Sequence, residues 1–89
     1  MRGKIMQKEI RLYIWTHCPY CRGAKKLLDE KKLDYQAIDI FQDNVMRKNL
    51  EKQTGHYTVP FVFVGDKFIG GYSELKALDE CGQLDEMLK

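Results

Sequence analysis

The stretch "EIRLYIWTHCPYCRGAKKLLDEKK", Glu9 to Lys32, decides the fold. Its first seven residues alternate charged with apolar side chains and carry Ile10, Leu12, Tyr13 and Ile14, a pattern that predicts a strand. Pro19 suits the first position of a helix, and Cys21, Ala24, Leu27 and Leu28 then recur at helical spacing. The two cysteines, Cys18 and Cys21, therefore sit where a strand hands over to a helix.

Working outward, "DYQAIDI" (residues 34–40) reads as a second strand. "DNVMRKNLEKQTG" (residues 43–55) reads as a second helix, with Asp43 as its cap, Gly55 as its stop, and Val45, Met46 and Leu50 as its apolar side. "PFVFVGDKFIGG" (residues 60–71) holds two apolar runs around Gly65-Asp66, the mark of a hairpin. One last helical stretch follows, with Leu75, Leu78, Leu84 and Leu88 on its apolar side. The order is βαβαββα. A helical crossover makes the first two strands parallel and right-handed, whereas a tight hairpin makes the last two antiparallel. The expectation is an α/β protein: a four-stranded mixed sheet flanked by helices, formed by a single domain over residues 1–89.

Composition narrows the function. Of 89 residues, 44% are hydrophobic and 31% charged, with a formal charge of +2 and the two signs interspersed, so no basic stripe is present to track a phosphate backbone. Nucleic acid is not an expected partner. The opening "MRGKIMQKEI" lacks the apolar core of a secretory leader, and no run approaches the roughly 20 apolar residues of a membrane span. No membrane partner is expected either, and the expected location is cytoplasmic. Three cysteines do not make a disulfide framework, so a close pair in this setting is catalytic or metal-binding before it is structural.

At the start of a helix, unpaired N–H groups and the helix dipole favour negative charge, and the thiolate is the nucleophile of disulfide exchange. Cys18 occupies that position. Arg22, Lys25 and Lys26 add positive charge nearby. Cys21 follows almost one turn later, within reach of the first sulfur, so the pair can open and close as a disulfide. A structural zinc site would need four ligands, and the remaining candidates, His17, His56 and Cys81, form no second close pair. Redox chemistry is the reading adopted, with no metal expected. Cys81, beside Gly82, is expected to be buried or to cap a helix end.

"CPYC" after a strand, "TVP" (residues 58–60) before the hairpin and "GGYSE" (residues 70–74) opening the last helix together resemble the glutaredoxins, in that order and at that family's spacing. The likeness runs from about Ile10 to Leu88. It implies a thioredoxin-like fold and glutathione as co-substrate and electron donor, with glutathione reductase serving indirectly. The implied partners are glutathionylated or disulfide-containing proteins, and the implied state is a monomer. Cys18 would attack the substrate disulfide and Cys21 would resolve the mixed disulfide. Tyr20 would flank the tripeptide. Thr58 and Val59, with Pro60 in the cis form, would offer a backbone edge to the cysteinyl unit. Gly71, Tyr72, Ser73 and Glu74 would hold the γ-glutamyl end at the helix start.

Taken singly, these elements have plainer readings: Pro60 as a trans strand opener, Gly70-Gly71 as a turn, Ser73 as a helix cap. Their co-occurrence with the cysteine pair carries the resemblance. Where many glutaredoxins have a lysine three residues before the first cysteine and an arginine just before TVP, this chain has Trp15 and Tyr57; Lys52, at a place where the family often has Gln or Arg, is then what the resemblance implies for the glycine carboxylate. Two rivals use the same residues. One is a redoxin reduced by thioredoxin reductase; the other is a dimer holding an iron–sulfur cluster through Cys18 of each subunit and glutathione.

Overall fold

The computed structural model describes residues 8–88, so most of the segment read for a secretory leader lies outside the described residues. Its elements are β1 (Ile10–Ile14), α1 (Pro19–Glu30), β2 (Gln36–Asp39), α2 (Asn44–Thr54), β3 (Phe61–Val64), β4 (Lys67–Gly70), α3 (Tyr72–Glu80) and α4 (Gln83–Leu88). The strands form one mixed sheet in the order β2-β1-β3-β4. β1 pairs with β2 in parallel, and both β1–β3 and β3–β4 are antiparallel. A bulge between Val62 and Phe63 shifts the register of the hairpin.

Alternation along β1 sorts the two faces. Ile10, Leu12 and Ile14 are buried on one side, joined by Val62 and Val64 of β3, and α1, α3 and α4 cover them with Cys21, Ala24, Leu28, Leu75, Leu84 and Leu88. On the other side Phe61 and Phe63 meet Ile40 and the one buried residue of α2, Leu50. β3 is buried along its whole length because both faces are covered. β2 lies at a sheet edge and is largely exposed.

Local chemistry sets the helix limits. The Asp43 side chain accepts the Met46 N–H at 3.1 Å, which caps α2, and Gly55 ends that helix with its N–H on the Glu51 carbonyl at 2.8 Å. Val45 is not part of the core: five residues before Leu50, it falls on the far side of a 3.6-residue turn and is 73% exposed.

The single last helix expected from Leu75 to Leu88 is instead two. Gly82 takes a φ of +80°, a left-handed conformation that stops α3 and lets α4 set off in a new direction, bringing Leu84 and Leu88 onto the core. Cys81 is the cap residue of α3; its thiol lies 3.6 Å from the Leu78 carbonyl, and it is exposed rather than buried.

Candidate active site

Cys18 is the cap residue of α1, with extended backbone and no side-chain capping bond to the helix. Its N–H is held by the Trp15 carbonyl at 3.0 Å, and its own carbonyl accepts the Arg22 N–H at 3.0 Å, which fixes the turn from β1 into α1. Pro19 begins the helix, where its missing N–H costs nothing.

One turn on, Cys21 is completely buried in the aliphatic core. Burial pushes its thiol up to about 12, a backbone hydrogen bond from Trp15 opposes the rise, and the charge and hydrogen bond of the adjacent Cys18 add to it. The two sulfurs thus differ by environment: Cys18 is partly exposed and Cys21 is a protected, neutral thiol. No disulfide links them.

Cys18 opens on a cleft of about 460 Å³. Trp15, Tyr20, Arg47 of α2, residues 56–60 and Gly71 to Glu74 line it together with the cysteine. Every residue proposed from the sequence for glutathione lies on this cleft except Lys52. The peptide bond between Val59 and Pro60 is cis. Tyr20 is 64% exposed, and its ring lies tilted beside that of Tyr72 with centroids 6.4 Å apart.

The start of α3 is prepared in a specific way. Glu74 Oε1 accepts the Gly71 N–H at 2.8 Å, and this bond, with one from its own N–H, holds the Glu74 carboxyl below the usual carboxylate range. The first-turn N–H groups of a helix have no intrahelical partner, so those of Tyr72 and Ser73 remain for a ligand. Gly70 permits the arrangement: with φ at +122°, a Cβ there would lie 2.6 Å from Glu74 Cγ, closer than packing allows.

Arg47 is a site residue that the sequence reading does not single out. Its guanidinium lies over the Trp15 ring at 5.0 Å from the centroid, its Nε donates to Glu51 at 2.9 Å, and its Nη2 donates to the Tyr57 carbonyl at 3.2 Å. The available signal is helical phase. Arg47 is three residues before Leu50 and shares the face that α2 turns toward the sheet, whereas Lys52, two residues after Leu50, projects elsewhere and is exposed.

His56, which the sequence offers only as a metal ligand, lines the same cleft. Among the described residues, no three His, Cys, Asp or Glu side chains come together as a metal-binding group. No described helix is long and apolar enough to cross a membrane.

Comparison with known proteins agrees with this geometry. The glutaredoxin family model matches residues 10–69. The chain is 39% identical to glutaredoxin 3 of Escherichia coli K12 over 80 residues, covering 90% of this chain and 96% of that one. It is 38% identical to a glutaredoxin of Pseudomonas aeruginosa over 77 residues, 86% and 92% of the two chains. Among solved structures, a buckwheat glutaredoxin–glutathione complex superposes with a TM-score of 0.87 at 32% identity, covering 96% of this chain and 81% of that one. A dithiolic glutaredoxin from Trypanosoma brucei brucei gives 0.84 at 33% identity, covering 98% and 93%. The fold and the site are those of a thiol oxidoreductase of the thioredoxin-like class. The chain belongs to the glutaredoxin family.

Proposed function

We propose that this protein is a glutathione-dependent dithiol oxidoreductase that reduces glutathionylated proteins and disulfides, acting as a monomer in the cytoplasm. The observation that carries the reading is the shared cleft, on which Cys18, the Thr58–Val59–Pro60 edge and the free N–H groups opening α3 all meet. A glutathione molecule laid there would pair its cysteinyl backbone with Val59 and set its γ-glutamyl carboxylate on the Tyr72 and Ser73 N–H groups. Its γ-glutamyl ammonium would face the ionised Glu74. Its glycine carboxylate would pair with Arg47, a cation on the cleft held in place by Trp15 and Glu51.

The chemistry follows from the two sulfur environments. The Cys18 thiolate attacks the glutathione sulfur of a mixed disulfide, a Cys18–glutathione disulfide forms, and the substrate sulfur leaves as a thiolate that takes up a proton. A second glutathione thiolate then attacks the bound glutathione sulfur, releasing oxidised glutathione and restoring the Cys18 thiolate. For a protein disulfide, Cys21 gives up its proton and attacks the Cys18 sulfur, leaving a Cys18–Cys21 disulfide and the reduced substrate. That proton is held in part by the charge of Cys18 itself. Once the Cys18 sulfur is tied in a mixed disulfide its charge is gone, and Cys21 becomes easier to ionise at the moment it is needed.

A coupled assay with glutathione, glutathione reductase and a small mixed disulfide tests the proposal. Cys18→Ser should lose all turnover. Cys21→Ser should keep deglutathionylation and lose reduction of an intramolecular protein disulfide. Turnover of the unaltered protein with thioredoxin reductase and NADPH, and none with glutathione, would replace this reading with that of a redoxin.

A further inference from the structure

α1 carries a glycine in its interior: Gly23 is the fifth of its twelve residues. Glycine weakens a helix relative to alanine, so the reason for it lies in what the position faces. A Cβ at Gly23 would stand 3.2 Å from both Cε1 and Cζ of the Tyr72 ring, tighter than ordinary van der Waals contact. Tyr20 precedes Gly23 by three residues and shares its face of the helix, and the Tyr20 and Tyr72 rings lie side by side with centroids 6.4 Å apart. Tyr72 lines the cleft at Cys18 and also a second groove, of about 340 Å³ between α1 and α3, which Gly23 lines with it.

The surroundings of Tyr72 leave it little room to move away. Its side chain packs on the aliphatic core. In the backbone just before it, a Cβ on Gly70 would fall 2.6 Å from Glu74 Cγ, and one on Gly71 would fall 3.4 Å from the Pro60 carbonyl oxygen and 3.3 Å from His56 Nε2. The first turn of α3 is therefore fitted closely against α1 through the Tyr72 ring and against the Pro60 carbonyl through Gly71.

We propose that Gly23 is a positioning residue for the γ-glutamyl end of glutathione: by leaving room on α1 for the Tyr72 ring, it sets where the Tyr72 and Ser73 N–H groups stand relative to Cys18. The proposal rests on the glutathione reading given above. Gly23 does not line the cleft, so it acts only through the ring. A methyl group at this position forces the ring to give by a fraction of an ångström, and with Gly70 and Gly71 already crowded the shift passes to the first turn of α3. Hydrogen bonds from those N–H groups to a carboxylate weaken as distance and angle depart from their optimum. Only a ligand that carries the γ-glutamyl carboxylate feels the loss.

The test uses one peptide whose cysteine is capped, through a mixed disulfide, either with glutathione or with cysteinylglycine, which is glutathione without its γ-glutamyl unit. Single-turnover release of the peptide thiol by the reduced protein gives a second-order rate for each cap, and their ratio is the preference for glutathione. Gly23→Ala should lower that preference about three- to tenfold, the size of a weakened contact to a charged group, with the cysteinylglycine rate changed less than about twofold. In a Tyr72→Ala background the methyl group meets no ring, and Gly23→Ala should change the preference less than about twofold. Urea midpoints report the same contact: Gly23→Ala should raise the midpoint more in the Tyr72→Ala background than in the unaltered protein, because alanine's helix propensity is then gained without displacing the ring. An unchanged preference in Gly23→Ala, an equal loss on both caps, or an effect that persists in the Tyr72→Ala background overturns the role of Gly23, as do equal midpoint shifts in the two backgrounds. No preference for the glutathione cap in the unaltered protein would instead overturn the glutathione reading itself.

Discussion

On one face of the sheet, α1, α3 and α4 set Leu28, Leu75 and Leu84 against Ile10, Leu12 and Val62, an aliphatic core that closes completely over Cys21. On the other, α2 alone sets Leu50 against Phe61 and Phe63, and partly exposed rings and side chains complete the cover. The heavily covered face anchors the redox pair, because a buried resolving thiol needs a helix that does not shift. The thinner face carries Arg47 and His56, which reach the cleft from α2 and the loop that follows it. Cys18 and Tyr72 pack against the aliphatic core and Trp15 against the aromatic one, while Val59 packs against both.

Cavity substitutions should break this comparison most visibly. Leu28→Ala empties a fully enclosed site and should cost about 3–5 kcal/mol, whereas Leu50→Ala, with partly buried neighbours able to relax, should cost about 2–3 kcal/mol. Urea unfolding of both variants measures the difference. A larger loss for Leu50→Ala would mean that the aromatic face, not the aliphatic one, dominates stability.

The recognition side can be probed with less damage to the fold. Arg47→Met should raise KM for glutathione about tenfold with little change in kcat, the size of a lost contact to a charged group. Lys52→Met, on an exposed surface away from the cleft, should change KM less than about twofold. Equal effects of the two substitutions would remove Arg47 from its assigned place.

A pH series isolates Cys21. An unperturbed cysteine thiol titrates at 9.0, whereas burial in the fold pushes this one up to about 12. Between those values the folded chain keeps a proton that the unfolded chain has lost, so the folded state is stabilised fully below pH 9.0 and this contribution disappears as pH rises toward about 12. Stability of the unaltered protein should therefore fall more steeply over this window than that of Cys21→Ala, when urea midpoints are compared across pH. Parallel curves for the two proteins would show that burial does not set the state of Cys21.

Several local features are legible in the sequence because their causes are local. The capping of α2 by Asp43, its stop at Gly55 and the hairpin at Gly65-Asp66 each depend on residues within a few positions of one another. The end of α3 at Cys81 and Gly82 carries a local signal of the same kind, but the second helix after it does not, since the apolar series Leu75, Leu78, Leu84, Leu88 fits one helix as well as two. Only packing against the sheet makes a change of direction favourable there. Lys52 is named from the place where the glutaredoxin family often has Gln or Arg; Arg47 is a second cation on the same helix, and which of the two lies on the cleft depends on which face of α2 meets the core.

By itself the sequence determined the strand-to-helix position of Cys18 and Cys21, the crossover that makes β1 and β2 parallel, and the antiparallel hairpin, since alternation, helical spacing and turn chemistry act over short distances. Tertiary structure alone decided that residues about 30 to 40 positions apart share one cleft: Trp15 under Arg47, and Cys18 facing the Thr58–Val59–Pro60 edge. It also decided that His56 faces Gly71 and that Cys21 is sealed while Cys18 is open. Such pairings depend on the order of strands in the sheet and on the phase of each helix against it. Both are set by burying side chains from distant segments together, a constraint that no local pattern records.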